Sequence, residues 1–155
     1  MRSISNHSPQ AKALILHIRQ HLKENNVILV FGRGRKVRAD DGDMCLGFFK
    51  EPSEASQGCL RVATRRRKPS TVLAVLVHEY CHFVQWINGD KVYKDHAIDK
   101  IDYILFEKIT EKSSIHLLKQ WGIPLNYSAV RRRSSSYLNW LKKNDINKTD
   151  ATEAF

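Results

Sequence analysis

The stretch VLVHEYCHFVQW, residues 75–86, decides how this chain is read. Its apolar letters suit a buried helix, and three polar side chains, His78, Glu79 and His82, interrupt them. Residues four apart on a helix lie one above the other on the same face. His78 and His82 can therefore aim both imidazoles at a single ion, with Glu79 beside them. HExxH is that geometry written in sequence. Zinc held by neutral imidazoles lowers the pKa of its water toward neutrality, and a neighbouring carboxylate can take the water's proton and later pass it to a leaving amine. An ordinary core helix would instead carry these groups into a segment built for burial, where unpaired polar atoms are costly. A metal satisfies them. Cys81, about a hundred degrees around the helix from His82, is expected to face the core and not the ion.

Working outward, Pro69 and Ser70 open this helix, and Gly89 can end it after Asn88 in the left-handed conformation. Upstream, Ser8 before Pro9 starts an amphipathic helix in which Leu14, Ile15, Ile18 and Leu22 recur at helical spacing up to about Glu24. VILVF (27–31) reads as a buried strand, and MCLGFFK (44–50) and CLRVAT (59–64) as two more, between segments rich in Gly, Asp, Pro and Ser. GRGRK (32–36) lacks the GxxxxGK[ST] spacing of a phosphate-cradling loop and reads as a turn after a strand. Downstream, helical patterns cover residues 95–120, stopping at Gly122 and Pro124, and residues 128–143. The expectation is one α+β domain over residues 1–143: an N-terminal helix, a small three-stranded sheet, the HExxH helix and two C-terminal helices. A polar tail, 144–155, is expected to be disordered.

Length and composition agree with one domain, since 155 residues can bury a real core but not two. No run reaches the roughly eighteen apolar residues of a membrane span, and MRSISNHSPQ has no signal-peptide core, so a soluble, cytoplasmic protein is expected. Cys45, Cys59 and Cys81, an odd number without a CxxC pair, read as reduced thiols. The net charge of +10 is uneven, with basic runs at residues 32–38, 65–68 and 131–133. Such runs either form a solvated surface or attract nucleic acid or an acidic protein.

A catalytic zinc needs a third protein ligand and an open fourth position. Glu107 and Glu111, four apart in the following helix, share one face, so one can serve as ligand and the other can orient a zinc-bound histidine from behind. HEYCH followed by that pair resembles the gluzincin metallopeptidases. The resemblance implies zinc bound by His78, His82 and Glu107, Glu111 behind them, and Glu79 as general base in peptide-bond hydrolysis. The element order over residues 27–120 is also similar to small phage and bacterial zincins, including ImmA/IrrE-type peptidases. The run after Glu111, however, is KSSIHLLKQW and not that family's Ala-rich, Asn-containing one, so the likeness is to gluzincins at large. Gln85 and Asn88 stand where metzincins carry glycine and histidine, which excludes that class.

HEYCHFVQWINGDKVYKDH also resembles SprT-like proteases, which act on DNA-bound proteins. That likeness would make His96 the third ligand and account for the positive charge. A different class of reading is a nucleic-acid-binding or adaptor protein with a non-catalytic zinc site. Of the remaining residues, Gln85 and Trp86 follow the metal helix and are placed either to line a substrate groove or, as is commoner for such a tryptophan, to pack, and nothing in the spacing singles out Tyr103 or Tyr127 as a donor to a developing oxyanion. The leading expectation is a zinc metallopeptidase acting on a protein substrate.

Overall fold

The computed structural model describes residues 7–39, 42 and 44–144. Helix α1 spans Pro9–Glu24: Ser8, in extended conformation, accepts a hydrogen bond from the Ala11 N–H at 3.2 Å, and Pro9 occupies the first turn. Its apolar stripe of Ala11, Leu14, Ile15, Ile18 and Leu22 is buried. Strands β1 (Val27–Gly32), β4 (Gly47–Lys50) and β5 (Gly58–Ala63) form one sheet in the order β1-β5-β4. β1 runs parallel to β5 and β4 antiparallel to it. The short strands β2 (Val37–Arg38) and β3 (Met44–Cys45) make a separate antiparallel ribbon. Four helices follow: α2 (Pro69–Ile87), α3 (Lys91–Ala97), α4 (Tyr103–Gln120) and α5 (Tyr127–Asn144). The α+β arrangement matches the expectation. Residues 145–155 of the expected tail lie outside the described residues, and Asn144 is the last residue of α5.

Helices cover one face of the sheet. Val27, Leu29, Phe31, Leu60, Val62 and Phe49 belong to the core together with α1, α2 and the end of α4. The alternate residues turn outward: Ile28 is 40% exposed and Arg61 is exposed. VILVF is a strand as read, with one face turned to the core.

Two expected boundaries are corrected. MCLGFFK is not one strand, because Leu46 bends the chain out of the β2–β3 ribbon before Gly47 joins β5. Residues 95–120 are not one helix either. Asp99 adopts a left-handed backbone, φ 59°, and the Asp102 side chain accepts from the Ile104 N–H at 3.0 Å, capping a new helix. A capping carboxylate competes with continued helix for the same backbone donors. The ends of α2 stand as read, with Pro69 in its first turn and Gly89 at φ 65° behind its last.

Gly47 lets β4 approach α2. A Cβ there would lie 2.7 Å from Val75 Cγ1, 3.0 Å from the Arg61 carbonyl oxygen and 3.3 Å from Glu79 Cγ. Glycine inside a strand commonly marks such a close approach. Gly47→Ala is therefore expected to destabilise the fold by about 1–3 kcal/mol, the usual penalty of overpacking, read as a lower midpoint in denaturant. An unchanged midpoint would mean that the strand can retreat from the helix.

Candidate metal centre

Helix α4 packs across α2 and turns Phe106, Glu107, Thr110, Ser114 and Leu118 inward. Its buried stripe is largely polar, and it meets the polar interruption of α2. His78 Nε2 lies 3.1 Å from Glu107 Oε2, and His82 Nε2 lies 3.6 Å from Glu107 Oε1. Among the described residues, this is the group of three whose possible ligand atoms all fall within 4.8 Å of one another.

The outer nitrogen of each ring is also held. His78 Nδ1 is 2.5 Å from Glu111 Oε1, and the Ser134 hydroxyl of α5 donates to the other oxygen of that carboxylate. His82 Nδ1 is 3.1 Å from Gln85 Oε1, whose amide donates to Thr110 Oγ1 at 3.0 Å. The Thr110 hydroxyl in turn donates to the Phe106 carbonyl at 3.0 Å. Acceptors at both Nδ1 atoms can hold a proton there, which would leave each Nε2 as the nitrogen offered to a metal.

The donor set fits zinc. Each residue offers one ligand atom, and these lie within 4.8 Å of one another, close enough to converge on one ion with bonds of about 2.0–2.1 Å. Two imidazoles and one carboxylate are a donor set that could hold a divalent metal ion.

Charge reinforces the geometry. Burial by itself would lower the His78 imidazole, but the Glu107 and Glu111 carboxylates raise it well above its ordinary value. Burial likewise pushes Glu107 and Glu111 up, and His78 more than offsets this, leaving both lowered. The raised imidazole contributes stability that is full below its unfolded pKa and lost as pH rises through the folded one. The lowered carboxylates contribute stability present above their unfolded pKa and lost as pH falls through the folded ones. The two carboxylates thus favour the protonated form of His78 in the metal-free protein, and a metal binding at Nε2 competes with that proton. Calorimetric titration with zinc in buffers of different ionisation enthalpy is expected to report release of about one proton per site. Heat independent of the buffer would contradict the pairing.

Glu79 lies at the junction of two cavities that share His78, Glu79 and Gly47 in their walls. One, of about 230 Å³, is mostly apolar, with Leu46, Val75, Ile115 and Val130 in its wall. The other, of about 210 Å³, also contains His82, Glu107, Tyr93 and Tyr103. Burial raises the Glu79 carboxyl above its ordinary value, against the pull of His82 and His78.

The remaining sequence candidates separate. His96 borders the second cavity but lies flat on Phe106, ring centroids 4.0 Å apart, and is not in the converging trio. Cys81 is in the core, as expected. Gln85 is buried behind His82, so it lines no groove, and Trp86 packs on Phe49 and Phe83 in the core. Tyr127 donates to the Ile123 carbonyl at 2.8 Å, a local bond, whereas Tyr103 borders the second cavity. Sequence reasoning missed Tyr137 of α5, which is hydrogen-bonded to Tyr103 and lines the apolar cavity. Burial, together with Glu107, raises both phenols, so each remains a neutral donor. Ser134 and Thr110 were also missed, and nothing local in the sequence marks either.

No family model, curated protein or solved structure matches the chain.

Proposed function

We propose that this protein is a zinc-dependent metallopeptidase. The observation that carries the reading is the convergence of His78, His82 and Glu107, with both Nδ1 atoms already engaged and Glu79 beside them where two cavities meet. Zinc bound by these three side chains would supply Lewis acidity, polarising a peptide carbonyl and acidifying water. Glu79 takes the proton as the water oxygen adds to the carbonyl carbon, and returns it to the amide nitrogen as the C–N bond breaks. Glu111 and Gln85 hold the two imidazoles in the required tautomer.

The substrate in this reading is a flexible protein segment. Among the described residues β4 pairs with β5 alone and lies at the sheet edge, beside both cavities. An extended peptide added to that edge would cross Glu79, with alternate side chains directed to the two cavities. No helix among the described residues is long and apolar enough to cross a membrane. Cys45, Cys59 and Cys81, none of them in a disulfide, suit the reducing cytoplasm, the compartment we propose. The basic runs favour nucleic acid as a second partner.

The test is a search for new peptide N-termini after incubating zinc-loaded protein with a denatured cell extract. Termini that disappear with chelator, return with zinc and fail to form with Glu79→Gln are the expected outcome. Termini formed equally by that variant, or none at all, would count against the proposal.

A further inference from the structure

Three basic segments that are remote in sequence meet at one end of the molecule. The bend at residues 33–36 after β1 is tied to the loop before α2: Thr64 N–H donates to the Gly32 carbonyl at 3.1 Å, and Arg65 N–H to the Gly34 carbonyl at 3.2 Å. Arg67 Nη2 donates to the Arg35 carbonyl at 2.9 Å. Helix α5 brings the third run alongside, with Arg133 Nη1 3.5 Å from Thr71 Oγ1 in the first turn of α2. Arg33, Arg35, Arg65, Arg66, Arg132 and Arg133 are all exposed.

The composition of this end is selective. Residues 32–38, 65–68 and 131–133 hold nine of the chain's 12 arginines but only two of its 14 lysines. No Asp or Glu occurs in residues 25–39, 55–78 or 112–144. Among the described residues, no carboxylate forms an ion pair with these arginines. A surface selected only for solubility has no reason to sort arginine from lysine. Gathering unpaired like charges costs self-repulsion, which a polyanion relieves. The planar guanidinium fork matches phosphate oxygens two at a time, whereas lysine offers a point charge.

We propose that these three segments form one docking face for the phosphate backbone of a nucleic acid. The contacts go to phosphate, so binding is indifferent to sequence and steeply dependent on salt. Thr71 and Arg133 belong both to this face and to the wall of the apolar cavity beside Glu79. A protein carried on the bound strand is thereby held next to that cavity. The face uses none of the residues that converge on the metal, so it holds or fails independently of the peptidase reading.

Fluorescence anisotropy tests it, with a labelled DNA duplex, its single strand and the RNA of the same sequence, titrated between about 50 and 200 mM salt. Wild type is expected to bind at the low end and to lose affinity with a log–log slope of about −0.9 per duplex phosphate contacted. The pairs Arg33→Gln/Arg35→Gln, Arg65→Gln/Arg66→Gln and Arg132→Gln/Arg133→Gln should each weaken binding and flatten the slope by about one per lost contact. The pair Lys108→Gln/Lys112→Gln, which removes equal charge from the exposed side of α4, should change neither. Whichever of the three probes binds best identifies the strand that the face takes. Absence of binding at low salt, an equal effect from the lysine pair, or equally tight binding of polyglutamate would each overturn the proposal; the last would assign the face to acidic polypeptides.

Discussion

Glu79→Gln is expected to take up zinc at wild-type stoichiometry and to lose about two to four orders of magnitude in turnover, the contribution of a positioned general base. The amide keeps the carboxylate's size at the wall shared by the two cavities, so packing against Gly47 and Val75 should survive. What the amide cannot do is accept a proton. His78, His82 and Glu107 are untouched, so metal content and melting temperature serve as internal controls. Full turnover in this variant would remove Glu79 from the mechanism, whatever the metal does. Loss of zinc together with turnover would show instead that residue 79 acts on the site's assembly.

The second large effect is expected at Glu107. Its two oxygens lie toward different imidazoles, 3.1 Å from one and 3.6 Å from the other, inside a buried pocket. Glu107→Ala leaves two histidines, which cannot hold a catalytic zinc, so the metal should be lost on dialysis. Glu111→Gln removes charge from behind His78 and keeps an acceptor there, so it should weaken zinc by no more than the roughly 10- to 100-fold typical of outer partners. The ratio between the two losses, measured by competition with a chelating dye, separates ligand from supporting carboxylate. Equal losses, or the larger loss at Glu111, would reverse the assignment.

Much of this site was legible in the sequence because helices encode faces. The i, i+4 spacing of His78 and His82 and of Glu107 and Glu111 placed each pair on one stripe, and Pro69 and Gly89 marked the ends of α2. Gln85 could also have been found. A buried amide three residues after a candidate ligand histidine is placed to reach its outer nitrogen, and this one does.

Other features depend on tertiary docking and leave no local trace. Ser134 and Tyr137 reach the site only because α5 lies against α4. The break at residues 98–102 was concealed because Asp99 and Asp102 also look like surface positions of a continuing amphipathic helix. Parallel pairing of β1 with β5 brings Val27 to Gly58 across 31 residues, a distance over which no turn chemistry fixes the register. That same pairing brings residues 32–36 beside residues 64–68, which turns two basic runs into part of one surface.

The most direct test of the metal centre is zinc per chain by mass spectrometry, on wild type, Glu107→Ala and His96→Ala purified side by side. The geometry predicts about one zinc in wild type and in His96→Ala, and none in Glu107→Ala. A wild-type protein that takes up no zinc on reconstitution, or zinc lost only with His96→Ala, would contradict a site built from His78, His82 and Glu107.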